Sequence, residues 1–268
     1  MQKKPRGARA LMCVLLIYLL IPLVVTIIYS LFEKWTGILP EYFSMESYAT
    51  IFRDPEFLLS IVRTLILCVF PIIFSTVMIL MALFVSTVCF PQLEKYIQLI
   101  CMIPYTIQGV ILSVSILSLY VSNKGILGNR LVMLFGAYSI IIMPYIYQGI
   151  RNGMRAVNVN MLLEAAEMLG ATRFYTYFRI VVPNILSSIV VSALLAVGII
   201  FGDYVLVRNL CGTSFQNMQI YLYQMMKSDS TKSSAVFVVI MFITFVITAL
   251  VLWMQGKEKA KGEKNGIH

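Results

Sequence analysis

The sequence predicts an all-α membrane protein with six transmembrane helices. Of its 268 residues, 60% are hydrophobic and 12% are charged, whereas soluble domains average roughly 45–50% and about 25%. The charges leave six uncharged windows, and even the shortest, with 20 residues, spans the hydrocarbon layer of about 30 Å at about 1.5 Å per residue. The windows are Ala10–Phe32, Thr64–Leu93, Tyr96–Asn123, Leu131–Ile150, Ile180–Gly202 and Ser233–Gly256.

No interval between the windows is long enough to fold an independent soluble core, so we predict one membrane domain over residues 10–254. Pro22, Pro71, Pro104 and Pro144 lie inside windows and predict kinks, because proline removes a backbone donor from a helix. The predicted spans are about 10–32, 64–90, 96–121, 131–150, 183–207 and 233–254, with tails at 1–9 and 255–268.

Lysine and arginine predict the orientation, because cytoplasmic segments retain them. With the N-terminus inside, the inner segments hold 13 of these residues and the outer loops hold 7, with Arg63 at a boundary left uncounted. Both termini are therefore predicted to be cytosolic. The first window resembles the apolar core of a signal peptide, but its 23 residues and the missing small-x-small cleavage site before Glu33 favour an uncleaved anchor.

Several function classes do not fit these residues. The net charge of +9 is scattered in loops and tails, which favours topology and anionic lipid over nucleic acid. The five cysteines form no CxxC pair, and His268 is the single histidine, so we expect no catalytic or metal site. No G-x-x-x-x-G-K-[ST] phosphate loop is present, so we expect the chain itself to bind no ATP.

The segment between the fourth and fifth spans carries most of the remaining signal. Its six charged residues would together cost on the order of 15–20 kcal/mol in hydrocarbon, so residues 151–182 are predicted to lie in the cytosol. Asn160 is a plausible N-cap for a helix over 161–169, and Gly170 stands where a left-handed cap ends it. Thr172 is placed to cap a second helix that breaks before Pro183.

This segment resembles the EAA loop of binding-protein-dependent ABC importer permeases. The matching residues are Glu164-Ala165-Ala166, then Gly170, Ile180 and Pro183 at the spacing of that motif. One position departs from it, since Val182 stands where the family usually has leucine.

The resemblance implies a type I importer permease whose loop helix docks in a cleft of a cytosolic ATPase. Glu164 would then be the polar anchor, Ala165 and Ala166 the close contacts, and Gly170 the turn, with Ile180 and Pro183 leading into the fifth span. It also implies two ATPase subunits that hold ATP and magnesium, a second permease, an extracytoplasmic solute-binding protein and a bacterial plasma membrane. This chain would be a non-catalytic subunit without a cofactor.

A solute pathway is less clearly marked. Asp203 falls near the outer end of the fifth span, where an acid is costly and indicates either a pathway or a partner. It could face the route beside Tyr204 and favour a cation, or it could pair with Arg208 or cap a break at Gly202. Other polar residues within spans could line the route or bond neighbouring helices; they are Gln108, Tyr145, Tyr147 and Gln148.

The stretch around Asp203 is similar to the branch of these permeases that handles polyamines, phosphonates and ferric iron, more than to the sugar branch. A polyamine such as spermidine or putrescine is the favoured solute, with sugar, phosphonate and iron as alternatives. From different classes, a secondary transporter or a structural membrane protein remains an alternative, although the six windows lack the ionisable residues that a coupled carrier uses.

Overall fold

The structure is a computed structural model that describes residues 6–34, 41–107, 109–122 and 125–265. Nearly all of these residues are helical, which confirms the predicted all-α class. The α-helices are α1 Arg6–Ser30, α2 Glu46–Arg53, α3 Pro55–Phe84, α4 Glu94–Met102, α5 Gly109–Tyr120, α6 Arg130–Ala156, α7 Val159–Met168, α8 Arg173–Thr176, α9 Val182–Asn184, α10 Leu186–Phe201, α11 Val205–Cys211, α12 Met218–Ser228 and α13 Ser230–Asn265.

Shorter elements connect these helices. A two-stranded antiparallel ribbon pairs β1, Phe32–Lys34, with β2, Glu41–Phe43. Turns of π-helix follow α3 at Val85–Cys89 and follow α8 at Tyr177–Val181. Turns of 3-10 helix lie at Pro91–Leu93, Ile103–Thr106 and Ile126–Gly128.

Among the described residues, three helices are long and apolar enough to cross a membrane without interruption: Pro55–Cys89, Arg130–Ala156 and Ser230–Gly256. Two bent helix pairs raise this number to five if each is a single span. They correspond to the predicted spans 96–121 and 183–207. The first predicted span, 10–32, corresponds to α1, whose described apolar part is Val14–Ser30.

The span prolines have different effects. Pro22, Pro71 and Pro144 lie inside the continuous helices α1, α3 and α6. Pro104 instead lies in the 3-10 turn that separates α4 from α5. The α-helical part of this predicted span therefore ends just before Pro104, because proline cannot donate the backbone hydrogen bond that would continue the α-helix.

The chain forms two compact units, whereas the sequence predicts one domain. The smaller unit contains Met1–Ser60 and Tyr221–Ile243. Within it, the Tyr221 hydroxyl donates to Asp54 Oδ2 at 2.6 Å, and the Tyr221 ring lies 5.4 Å from that of Phe57. The larger unit contains Ile61–Ile220 and Thr244–His268, and it includes the predicted loop 151–182.

The larger unit is organised around the contact between α6 and α10. Gly149 and Gly153 lie four residues apart on one face of α6, opposite Ser192 and Ser188 of α10. A Cβ atom added to Gly149 would lie 2.3 Å from Ser192 Cβ, and one added to Gly153 would lie 2.6 Å from Ser188 Cβ. Small residues at this spacing let two helix backbones approach closely in a membrane. The two helices that flank the loop therefore pack directly against each other.

We expect Gly149→Ala to destabilise the protein, because the new methyl group overlaps Ser192. Overpacking of this kind costs about 1–3 kcal/mol, which should lower the melting temperature of the protein purified in detergent. Gly136→Ala is the matched control, since a Cβ atom on Gly136 of the same helix would meet nothing within 4 Å. The double variant Gly149→Ala, Ser192→Gly should recover part of the loss. Equal melting temperatures for the two alanine variants would contradict close packing at Gly149.

Candidate functional site

Helix α7 is the first helix of the loop 151–182. It spans Val159–Met168, so the helix predicted over 161–169 is present but begins two residues earlier. The predicted N-cap at Asn160 is wrong. Asn158 occupies that position in a left-handed conformation with φ of 49°, and its side chain makes no capping hydrogen bond.

The turn after α7 is the one that the sequence predicts. Gly170 has φ of +81°, a conformation that costs other residues roughly 1–2 kcal/mol. Its N–H donates to the Glu167 carbonyl at 2.9 Å, and the N–H of Ala171 donates to the Ala166 carbonyl at 2.9 Å. These two bonds form a Schellman motif, so the left-handed turn at Gly170 is confirmed.

Helix α7 has one buried and one exposed face. Val159, Leu163 and Ala166 are buried, with Ala166 only 6% exposed. The Ala166 methyl group packs inside this chain and is not part of the exposed face, and its contact with a partner stays a prediction. The exposed face consists of Met161, Glu164, Ala165, Met168 and Leu169, which we call the α7 outer face.

An ion pair closes the turn between α7 and α8. Arg173 donates to both carboxylate oxygens of Glu167, from Nε at 2.5 Å and from Nη2 at 3.1 Å. These hydrogen bonds lower the pKa of Glu167 below its ordinary value. The same guanidinium donates from Nη1 to the carbonyl of Val88 at 3.4 Å. Arg173 therefore joins the loop to the π-helical end of α3.

Aromatic packing makes a second connection to α3. Thr172 caps α8 by accepting the N–H of Tyr175, as predicted. Tyr177 follows in the π-helical turn, is fully buried, and donates its hydroxyl to the Leu80 carbonyl at 3.0 Å. The Phe84 ring of α3 lies 5.2 Å from Tyr177 and 5.5 Å from Phe174. The second loop helix is thus packed against α3 by rings rather than by charges.

The predicted break before Pro183 is wrong. The chain stays helical through Asn184, and the bend of 63° comes at Ile185 between α9 and α10. Pro183 follows directly on the π-helical turn Tyr177–Val181, and the helix bends two residues after it. Ile180 is half-buried in the π-helical turn, and its carbonyl accepts the Asn184 amide at 2.9 Å.

Asp203 has structural partners. Its Oδ2 accepts the Tyr138 hydroxyl at 2.9 Å and the Leu206 N–H at 3.0 Å. The second bond caps α11, directly after the interruption of the helix at Gly202. The backbone carbonyl of Asp203 also accepts a hydrogen bond from the Asn217 side-chain amide at 3.2 Å. The geometry matches the capping alternative, which removes the argument for a cationic solute that rested on this carboxylate. Tyr204 follows it and is half-buried.

The remaining pathway candidates divide into two groups. Tyr147 is buried among the helices of the larger unit, and its hydroxyl accepts a hydrogen bond from Arg151 Nη1 at 2.9 Å. It therefore lines no exposed surface. Tyr145 is half-buried and Gln148 is exposed on another face of α6. Gln148 Nε2 lies 3.6 Å from the sulfur of Met102. Gln108 lies outside the described residues.

Two further residues on that face were not among the predicted ones. Tyr105, which is 45% exposed, packs edge-on against Tyr145 with ring centroids 4.9 Å apart. Asn152 is exposed and continues the series Tyr145, Gln148, Asn152 at spacings of three and four residues. That spacing could have identified a polar stripe from the sequence. The exposed faces of α3 and α13 are by contrast apolar.

The architecture is that of a helical membrane protein in which a helical loop, residues 151–182, connects two closely packed helices. A family model described as binding-protein-dependent transport system inner membrane component matches residues 79–257. The match covers more than half of the chain, and the chain therefore belongs to this family. A secondary transporter and a purely structural membrane protein are no longer alternatives.

Curated relatives and solved structures agree with this family. The chain is 21% identical over 256 residues to the spermidine/putrescine transport system permease protein PotC of Escherichia coli K12, covering 93% of this chain and 94% of that protein. The PotC protein of Shigella flexneri matches to the same extent. A bacterial ABC transporter that imports the acidic polysaccharide alginate matches with a TM-score of 0.65 at 18% identity, covering 94% of this chain and 95% of that chain.

We expect Asp203→Asn to keep the stability of the wild type and Asp203→Ala to lower it. Asparagine keeps an oxygen acceptor for Leu206 and Tyr138, whereas alanine removes the cap and leaves a buried hydroxyl unpaired, at a cost of about 1–3 kcal/mol. Melting temperatures of the purified variants measure this difference. A stable Asp203→Asn variant that no longer transports solute would contradict the structural role and show that the charge faces the pathway.

Proposed function

We propose that the chain is the permease subunit of an ATP-binding-cassette importer in the bacterial plasma membrane. Together with a second permease, a copy or a homologue, it forms the pathway for a small solute. Two separate cytosolic ATPase subunits hydrolyse ATP, and an extracytoplasmic binding protein delivers the solute. Both termini and the α7 outer face lie on the cytosolic side in this proposal.

The observation that carries the proposal is the α7 outer face. Met168 is 90% exposed and Leu169 is 88% exposed, although both are large apolar side chains at the end of a short helix. An exposed apolar patch beside a carboxylate is typical of a surface that a partner protein covers. Glu164 supplies the charge, and Ala165 lets the partner approach the helix closely. A cleft of the ATPase is the partner that we infer.

The connections of the loop provide a route for movement. The chain enters α7 from α6 and leaves the loop into α10, and these two helices are packed through Gly149 and Gly153. Arg173 and the rings around Phe84 join the loop to α3 as well. Displacement of α7 by the ATPases would therefore move three membrane helices together. We propose that this movement switches the pathway between inward-facing and outward-facing states.

The polar stripe of α6 is the part of the chain that we assign to the pathway. Polar side chains facing lipid are costly, so an exposed series of them on a membrane helix is expected to face water or a partner. Gln148 meets this condition. The half-buried Tyr145, Tyr105 of the adjoining turn and Asn152, which lies at the cytosolic end of α6 in this proposal, continue the same face. Asp203 is excluded from this wall because its carboxylate is used within the fold.

The solute class that we propose is a polyamine such as spermidine or putrescine. The PotC relatives, which belong to spermidine/putrescine transport systems, support it. The Tyr105–Tyr145 pair also supports it, since tyrosine faces attract alkylammonium groups at about 0.5–2 kcal/mol each. The alginate transporter shares the fold at low identity, and its acidic cargo is not transferred to this chain.

We expect Glu164→Lys to leave the protein inserted but to uncouple transport from ATP hydrolysis. Reversal of an exposed charge on the docking face opposes the partner's basic groups without disturbing the buried face of α7. Solute uptake and ATPase activity of the complex in proteoliposomes are the two measurements. Glu46→Lys, an exposed acid at the start of α2, is the matched control. Wild-type uptake by the Glu164 variant would refute the coupling role.

The solute is tested by stimulation of ATP hydrolysis in the complete complex with its binding protein. Spermidine and putrescine should stimulate, whereas an alginate oligosaccharide, a phosphonate, ferric iron and maltose should not. Tyr105→Leu should raise the spermidine concentration for half-maximal stimulation about 2- to 30-fold, because the cation–π contribution is lost. Tyr105→Phe keeps the ring and should behave like the wild type.

Three outcomes separate the parts of this proposal. Stimulation by one of the other solutes would overturn the polyamine assignment and leave the importer role intact. Spermidine stimulation that is equal in the leucine and phenylalanine variants would remove Tyr105 from the pathway. Failure of every solute and every ATPase partner to act with the chain would contradict the importer role itself.

A further inference from the structure

A polar cavity of about 260 Å³ lies beside the docking loop, separate from the α7 outer face and from the stripe of α6. Four elements meet around it: the end of α3, the start of α4, the end of α6 and the start of α7. Its lining residues are Leu83, Thr87, Glu94, Arg151, Met154, Arg155, Asn158, Val159 and Asn160. The proposed function uses none of its charged residues.

The charges of the cavity favour an anion. Arg151 and Glu94 form an ion pair, so the one carboxylate of the lining is neutralised within the wall. Arg155 is exposed and lines the same cavity, which leaves an excess positive charge. An arginine fork matches the geometry of a phosphate group and remains charged at all physiological pH values.

One buried donor of the cavity also lacks an acceptor. Within the described part of the chain, the buried Nε of Arg151 has no hydrogen-bond partner, although its two terminal nitrogens bind Glu94 and Tyr147. The Asn158 side chain does not cap α7. The first N–H groups of a ten-residue helix therefore have no side-chain cap beside the cavity, and such a helix end attracts anions.

The surroundings indicate where the anion would come from. The cavity opens at the ends of α3 and α6, two helices long enough to cross the membrane. Phe90 is 62% exposed and Leu93 is 40% exposed on the turn that leads to Glu94. Apolar side chains next to a basic cavity at this depth suit a phospholipid, whose acyl chains and headgroup need both.

We propose that this cavity binds a phosphate group, supplied by an anionic phospholipid at the membrane surface that carries α7. Arg155 binds the phosphate directly, the Thr87 hydroxyl and the Asn160 amide complete its hydrogen bonds, and Phe90 and Leu93 contact the acyl chains. A lipid held there would join α3, α6 and α7. The site is independent of which solute is transported.

The test uses the full chain purified in neutral detergent, with phosphatidylglycerol, phosphatidylcholine and inorganic phosphate as probes. Native mass spectrometry measures bound lipid, and the melting temperature measures its effect on stability. We expect the wild type to retain phosphatidylglycerol in preference to phosphatidylcholine. Arg155→Gln should weaken that binding roughly tenfold, as expected for loss of a hydrogen bond to a charged group. Thr87→Val should weaken it less.

Arg179→Gln is the matched control, because Arg179 is an exposed arginine of the same loop that does not line the cavity. If both arginine variants weaken phosphatidylglycerol binding equally, the lipid is attracted by the general positive charge of the surface, and the proposal is overturned. Binding of inorganic phosphate without phosphatidylglycerol would support a phosphate site and reject lipid as its source. If neither phosphate probe binds while Arg155→Gln impairs assembly with the ATPase, the cavity receives an acidic side chain and the proposal is wrong.

Discussion

The close approach of α6 and α10 is the interaction on which the rest of the larger unit depends. Gly149 and Gly153 face Ser192 and Ser188 so tightly that a single methyl group on either glycine would overlap the opposite helix. Lipid tails are as apolar as leucine, so membrane helices gain little from hiding apolar side chains from each other. Close backbone packing supplies the contact instead, and it brings the two ends of the loop 151–182 together.

The loop is consequently a rigid attachment rather than a flexible tether. Its first helix is ended by the left-handed Gly170, and its second is packed against α3 through Tyr177 and Phe84. Arg173 spans both, since it pairs with Glu167 and reaches the carbonyl of Val88. Exposed ion pairs contribute little stability on their own, so the rings carry the attachment and the arginine sets its register. The same residues leave the outer face of α7 free to meet a partner.

Polar groups within the larger unit serve two different purposes. Asp203 and Tyr138 satisfy each other and an N–H of α11, so their polarity is consumed by the fold. Tyr145 and Gln148 instead present polar atoms on an exposed face between apolar surfaces. The hydrogen-bond partners of a polar residue, and not its type, decide between these two purposes. Asp203 accepts two hydrogen bonds within the fold and is structural, whereas the exposed amide of Gln148 remains available to water or a partner.

The sequence by itself determined the all-α class, the three long apolar helices and the turn at Gly170. Hydrocarbon excludes charge and unpaired backbone groups, so apolar windows and the helix–glycine–helix pattern can be read without knowing any contact. Only the tertiary structure decided what each polar residue does. Asp203 accepts the hydroxyl of Tyr138, Ala166 is buried, and Tyr105 packs on Tyr145, and no local pattern of the sequence contains these contacts. Local patterns encode where the chain must leave the lipid, and packing between distant helices decides which side chains remain available for function.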